Sequence, residues 1–213
     1  LEGGFAADTG DKSGRSTFDR ESTVGLKGSF GEVKIGRAKS QMELALGGIV
    51  PGHRVADVDL YSVAATRHSN GLFYSYENSG FEFGADVTTK GGAYGDPTED
   101  VDGFKVGWGA RVGYTGNVGG NVTLLARAAY QDDGKYEFGG VTAKQQEWGG
   151  LLGLVVPYAS NNALTFGVAY TQGKGLATDL VTAKFDGLST AVPTTKAKTF
   201  SAVIASSFGP NDS

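Results

Sequence analysis

The chain has 213 residues, 35 of them glycine and none cysteine, so thiol catalysis, disulfides and cysteine metal sites are excluded. Its 19 basic and 23 acidic residues give a formal net charge of −4, which argues against a nucleic-acid partner bound by bulk charge. No apolar run approaches the roughly 20 residues that a membrane-spanning helix needs.

Alternating side chains predict β-strands through most of the chain. Within residues 105–115, Val106 and Trp108 share one parity, whereas Lys105 and Arg111 share the other. Successive side chains of a strand point to opposite faces, so one face is apolar and the other is small, polar or charged. The same alternation predicts nine whole strands and a stub, which lie at about 16–27, 30–37, 67–76, 80–88, 103–115, 121–131, 144–158, 162–172 and 197–208, with the stub at 1–6.

The connections between these strands alternate in length. The short ones are rich in Gly, Asn and Ser, which tolerate the positive φ angles of tight turns. Long ones are predicted near 38–66, 89–102, 132–143 and 172–196. Strands joined by alternately short and long connections form an up-and-down antiparallel meander, so the predicted fold class is all-β.

What the apolar face contacts, a packed core or lipid, distinguishes a soluble sandwich from a membrane barrel. The opposite face is rich in Gly, Ala, Ser and Thr with scattered charges, which suits a water-filled lumen better than a packed core. Aromatic residues also fall near both ends of the strands, as in the girdles of transmembrane barrels. They are Tyr74, Tyr114, Tyr158 and Phe208 near the short turns, and Trp108, Tyr130, Trp148 and Tyr170 near the long loops. A transmembrane β-barrel is therefore favoured over a soluble, carbohydrate-binding β-sandwich.

Four motifs in the first part of the chain resemble those of a known family. They are LEGGFAADTG at 1–10, FDRESTVGLKG at 18–28, FGEVKIGR at 30–37 and RHSN at 67–70 followed by Leu72 and Tyr74. Their order and spacing resemble the trimeric general porins of Gram-negative bacteria, of the beta-proteobacterial and neisserial type. The motifs cover about the first 85 residues, and the remainder is similar in architecture only.

The resemblance implies a single barrel domain over 1–213, as an internal fragment lacking N- and C-terminal strands of a barrel of about sixteen. It implies a homotrimer in the bacterial outer membrane, in contact with lipid and lipopolysaccharide. Ions and small hydrophilic solutes would diffuse through it, with no cofactor, enzymatic activity or nucleic-acid partner. The alternative is a non-channel barrel acting as a structural anchor or adhesin, which predicts a lumen plugged by bulky side chains.

The resemblance also implies a constriction, in which a long loop folds into the pore and sets acids against arginines. The candidate loop is 38–66, in which residues 41–47 (QMELALG) are predicted to form a short helical turn. Its acidic candidates are Glu43, Asp57 and Asp59, although solvated loop charges are an equal alternative. The basic candidates are Arg20, Arg37 and Arg67, with Lys105, Arg111 and Arg127 as additional lumen charges.

Alternation supports some of these basic residues more than others. Arg67 shares its parity with Ser69, whereas Leu72 has the opposite parity, and Arg111 and Arg127 also lie on polar faces. Arg20 and Arg37 instead share parity with apolar residues, so a β-bulge or a neighbouring subunit is needed to explain them. Ion selectivity is left open.

Other candidate sites are weaker. Asp100 and Asp102 lie in an acidic loop that lacks the ligand spacing of an EF-hand, so a solvated loop is favoured over bridging of a divalent cation to lipopolysaccharide. His53 and His68 have no evident partner cluster in the sequence, and no nucleophile–base pair is evident. An enzyme is therefore not expected.

Overall fold

The computed structural model describes residues 21–46, 67–90, 106–138, 141–159, 162–175 and 195–207. The predicted stub at 1–6 lies outside these residues, as do most of the predicted connections 38–66, 89–102 and 172–196.

The described residues form one nine-stranded antiparallel sheet in which each strand pairs with its neighbours in sequence, in the order β1 to β9. The predicted antiparallel meander is confirmed. The strands are β1 Ser22–Gly28, β2 Gly31–Lys39, β3 Arg67–Asn78, β4 Phe81–Lys90, β5 Gly107–Asn117, β6 Thr123–Phe138, β7 Val141–Ala159, β8 Asn162–Gly175 and β9 Thr195–Ser207. A short helix, α1 (Gln41–Leu46), lies between β2 and β3 in sequence, which confirms the predicted helical turn.

Short turns join the strands where Gly, Asn and Ser cluster. Between β3 and β4, Ser79 and Gly80 have φ angles of 51° and 84°. Two successive positive φ angles are typical of a type I′ hairpin turn, whose twist matches that of the flanking strands. The positive φ angles expected for the short connections rich in Gly, Asn and Ser are therefore present in this turn.

The predicted long connection at 132–143 is wrong. Strand β6 continues to Phe138 and β7 begins at Val141, and the two remain paired as far as Phe138 opposite Val141. A register shift lies between Asp132 and Gly134, and Gly134 has a φ angle of 82°. The polar, glycine-containing stretch resembles a turn in sequence, but here it forms a bulge inside a longer hairpin.

One face of the sheet is apolar and exposed. Val24, Ile35, Leu72, Val87 and Trp108 are aligned in register across β1 to β5, and all five are exposed. The exposed fraction is 75% for Val24 and 60% for Ile35. A continuous apolar surface of this kind is suited to contact with lipid or with another protein rather than with water.

Aromatic pairs lie near both ends of the strands on this apolar face. Near the predicted long loops, the ring centroids of Trp108 and Tyr130 are 5.0 Å apart, and those of Trp148 and Tyr170 are 5.5 Å apart. Near the short turns, Phe81 and Tyr114 are 4.9 Å apart. These contacts join aromatic residues of neighbouring strands, as the predicted girdles require; Phe208 lies outside the described residues.

The opposite face carries the buried polar residues and the helix. Helix α1 packs against β4, β5, β6 and β7. Its buried Met42, Ala45 and Leu46 form an apolar cluster with Leu151 and Ala169 of the sheet and with Ala129. No helix in the described part of the chain is long and apolar enough to cross a membrane.

Candidate functional site: α1 and the charged face of the sheet

The start of α1 is determined by a local signal. Ser40 follows β2 directly, and its Oγ accepts a hydrogen bond of 3.2 Å from the backbone N–H of Glu43. The backbone N–H of Leu44 donates to the Ser40 carbonyl oxygen at 3.0 Å. Ser at the N-cap followed by Glu three residues later is a typical helix-start pattern. A six-residue helix is not stable alone, so its position depends on tertiary contacts.

Glycines of the sheet provide the space in which α1 lies. A Cβ added at Gly109 would be 2.9 Å from Asp86 Oδ1 and 3.3 Å from Gln41 Cβ. At Gly84, an added Cβ would overlap the Gln41 side chain, and at Gly149 it would be 2.7 Å from Leu46 Cδ1. These glycines therefore face a helix, whereas the sequence predicts only small lumen-facing residues and tight turns as the reasons for abundant glycine.

Adjacent glycines of β7 offer a matched test of this arrangement. A Cβ at Gly149 would also lie 2.8 Å from the backbone oxygen of Tyr170, whereas at Gly150 the nearest contact is 3.4 Å from the backbone oxygen of Arg127. We expect Gly149→Ala to lower the free energy of unfolding by about 1–3 kcal/mol through overpacking, and Gly150→Ala to have little effect. Urea unfolding of the refolded protein in detergent micelles measures both; equal stability of the two variants would contradict the prediction.

A carboxylate next to α1 binds two arginines. Glu82 Oε2 accepts a hydrogen bond of 2.6 Å from Arg111 Nη1, and Glu82 Oε1 accepts one from Arg127 Nε. Arg111 Nε also donates to Gln41 Oε1 of α1 at 3.3 Å. The structure thus brings together two of the predicted basic residues, and it joins one of them to the helix. Glu82 was not singled out from the sequence.

A second polar cluster lies buried on the same face. His68 Nδ1 is 2.5 Å from Asp86 Oδ2, and His68 Nε2 is 2.8 Å from Asp133 Oδ1. Carboxylates only accept hydrogen bonds, so both ring nitrogens donate and the ring is an imidazolium cation. Gln131 Nε2 also donates to Asp133 Oδ1, at 2.7 Å. The expectation that His68 has no partner cluster is wrong.

The sequence did not reveal this cluster because its members are distant in the chain. Asp86 and Asp133 are 18 and 65 residues from His68. The imidazole on β3 contacts Asp86 of β4 and Asp133 of β6, so the cluster spans β4 and β5. A Cβ at Gly107 would be 3.1 Å from Thr88 Cγ2 and 3.3 Å from the Cα of Asp133. Only the register of four strands shows that these residues meet.

Two backbone irregularities interrupt the alternation of faces near Arg37 and Arg67. The β2–β3 register shifts between Gly36 and Ala38, and Asn70 has a φ angle of 50°. Arg37 Nη1 donates to Ser69 Oγ across this region. Because His68 lies on the α1 face, the parity of Leu72 and Tyr74 does not extend unchanged to residue 67, so it no longer supports a lumen position for Arg67. Whether Arg37 and Arg67 line a pore stays a prediction.

The acidic candidates are only partly described. Glu43 lies on α1, and its Oε1 is 3.6 Å from Lys39 Nζ, so it pairs with the preceding strand end rather than with Arg111 or Arg127. Arg20, Lys105, Asp57, Asp59, Asp100 and Asp102 lie outside the described residues. Among the residues that are described, no group of three or more His, Asp or Glu side chains has an arrangement that could hold a metal ion.

No curated protein matches the chain. Among solved structures, an anion-selective porin from Comamonas acidovorans is similar, with 18% sequence identity and a TM-score of 0.38, over 95% of this chain and 83% of that one. The family model described as Gram-negative porin matches residues 1–207. That match spans nearly the whole sequence and agrees with the observed meander of strands. The chain therefore belongs to the Gram-negative porins, the β-barrel channel proteins of the bacterial outer membrane.

Proposed function

We propose that the face of the sheet that carries α1 lines a water-filled pore, and that segment 38–66 narrows this pore at α1. Ions and small hydrophilic solutes would pass by diffusion, without a cofactor. The observation that carries the proposal is the position of α1, which packs on the charged face and not on the exposed apolar face. A short helix held against the wall by Met42 and Leu46 reduces the cross-section at that level.

The charged side chains beside α1 support a constriction with both signs of charge. Arg111 and Arg127 would provide its basic side, while Glu43 on the helix contributes an acid. Charges on a narrow pore wall bias which ions pass. Other charged residues belong to the proposal on the strength of the family resemblance alone; they are Arg20, Arg37, Arg67, Lys105, Asp57 and Asp59.

The proposal also covers what the outer surface of the barrel contacts. The exposed apolar row from Val24 to Trp108 would contact outer-membrane lipid or a neighbouring subunit. Assembly as a homotrimer and contact with lipopolysaccharide follow from the family resemblance. Asp100 and Asp102 remain weak candidates for a divalent cation at such a contact.

Recording from planar lipid bilayers tests the channel. We expect the detergent-solubilised, full-length protein to produce stepwise increases in current in potassium chloride solution. The control is the same amount of detergent without protein. A folded protein that inserts into the bilayer but produces no current steps would contradict the proposal and favour the plugged, non-channel barrel.

A further inference from the structure

Three neighbouring strands bring Glu82 and the arginines together on the α1 face. In the register of β4, β5 and β6, Glu82 lies opposite Gly113, and Gly113 lies opposite Arg127. A Cβ at Gly113 would be 2.7 Å from Glu82 Cγ and 2.9 Å from Arg127 Cγ. The absence of a side chain at Gly113 therefore lets the carboxylate and the guanidinium meet above β5.

Both oxygens of Glu82 are used, one for each arginine. The side chains of Glu82 and Arg111 are 9% and 8% exposed, and that of Arg127 is 22% exposed. Charge-assisted bonds between such groups are stronger and less screened than those at an exposed surface. The three side chains therefore act as one unit with a net charge of about +1 rather than as two independent cations.

Arg127 is the most exposed member of this unit. It lines an open pocket together with Glu82, Glu77 and Thr115, next to the turn between β3 and β4. Arg111 is turned towards Gln41 of α1 instead. An ion on the α1 face would therefore meet Arg127 in a field that Glu82 has already reduced.

We propose that Glu82 is a selectivity-determining residue of this channel, because it engages Arg111 and Arg127 and so lowers the permeability of the pore to anions relative to cations. The inference rests on the proposed function, since it requires the α1 face to line the pore. It adds a specific role for an acid of the sheet wall, in addition to any acids of segment 38–66. Glu82 acts by offsetting positive charge and by holding the two guanidinium groups in position.

The test compares the chloride-to-potassium permeability ratio of variants, from the zero-current potential in a potassium chloride gradient. Glu82→Gln keeps the shape of the side chain but removes its charge, so the unit becomes about +2. We expect the ratio to rise about two- to fourfold, as for one unit charge at a pore wall screened by salt. In the double variant Glu82→Gln/Arg127→Gln the net charge returns to about +1, and the ratio should return close to that of the unmodified protein.

Glu32→Gln is the matched control. Glu32 lies on the same face but on β2, and it pairs with Lys34 at 3.1 Å instead of with an arginine. This variant makes the same change in formal charge, and we expect less than half the shift. Equal shifts for Glu32→Gln and Glu82→Gln would mean that only total charge matters, and an unchanged ratio in Glu82→Gln would overturn the role of Glu82.

The two proposals fail in different ways. An unmodified protein without current steps contradicts the channel, whereas current steps with an unchanged ratio in Glu82→Gln contradict only the inference about Glu82. If Glu82→Gln alone does not fold, the comparison is made between Arg127→Gln and Glu82→Gln/Arg127→Gln. The same two- to fourfold rise is expected between those two variants, and no rise would overturn the inference.

Discussion

His68→Ala is expected to lower the free energy of unfolding by about 3–5 kcal/mol, the cost of breaking a buried ion pair by removing one partner. The variant would leave the side chains of Asp86 and Asp133 buried without the cation that lies between them. His68 and Asp86 side chains are fully buried, and Asp86 Oδ1 has no hydrogen-bond partner within the described residues.

Urea unfolding of the refolded protein in detergent micelles, followed by tryptophan fluorescence, measures this effect. Lys34→Ala is the control, because it breaks the partly exposed pair with Glu32 and should cost no more than about 1 kcal/mol. Combining His68→Gln with Asp86→Asn and Asp133→Asn should recover much of the stability, since no uncompensated charge then remains. A loss below about 1 kcal/mol for His68→Ala would contradict the assigned pairing.

Leu46→Ala is expected to weaken the packing of α1 on the sheet by about 2–5 kcal/mol, the usual cost of truncating a fully buried leucine. Leu46 is fully buried in the cluster with Leu151, and next to Gly149. Because the helix has only six residues, it has little stability of its own to resist that loss. If α1 narrows the pore, its displacement should raise the single-channel conductance and increase current noise.

Leu44→Ala is the matched control on the same helix. The side chain of Leu44 is 38% exposed and does not belong to the buried cluster. Single-channel recordings in the same salt solution should show nearly unchanged conductance for this variant. Equal conductance in Leu46→Ala and in the unmodified protein, with both proteins folded, would contradict the role of α1 as a constriction.

Much of the fold could be predicted from the sequence because strand patterns are local. The alternation in 105–115 correctly separated Trp108 on the exposed face from Arg111 on the face of α1. The error at 132–143 has a physical cause as well. The stretch from Asp132 to Gly134 is polar and contains a register shift, which interrupts the alternation although the backbone pairing continues.

The candidate site was less predictable, because its contacts depend on details that alternation does not encode. Arg111 and Arg127 were identified as charges of the polar face, but their shared partner Glu82 was not. The parity argument for Arg67 does not survive the left-handed conformation of Asn70. One residue in this conformation changes the face of the sheet to which the residues beyond it in the strand point.

The sequence by itself determined the nine-stranded meander, the two faces of the sheet and the short helix after Ser40. Each depends on neighbours within a few residues, through the period-two geometry of strands and the capping of a helix end. Only the tertiary structure decided what the abundant glycines do. They provide room for α1 at Gly109 and Gly149, and they let Glu82 reach Arg127 across Gly113. These roles depend on strand register over long separations, which places particular side chains beside particular gaps.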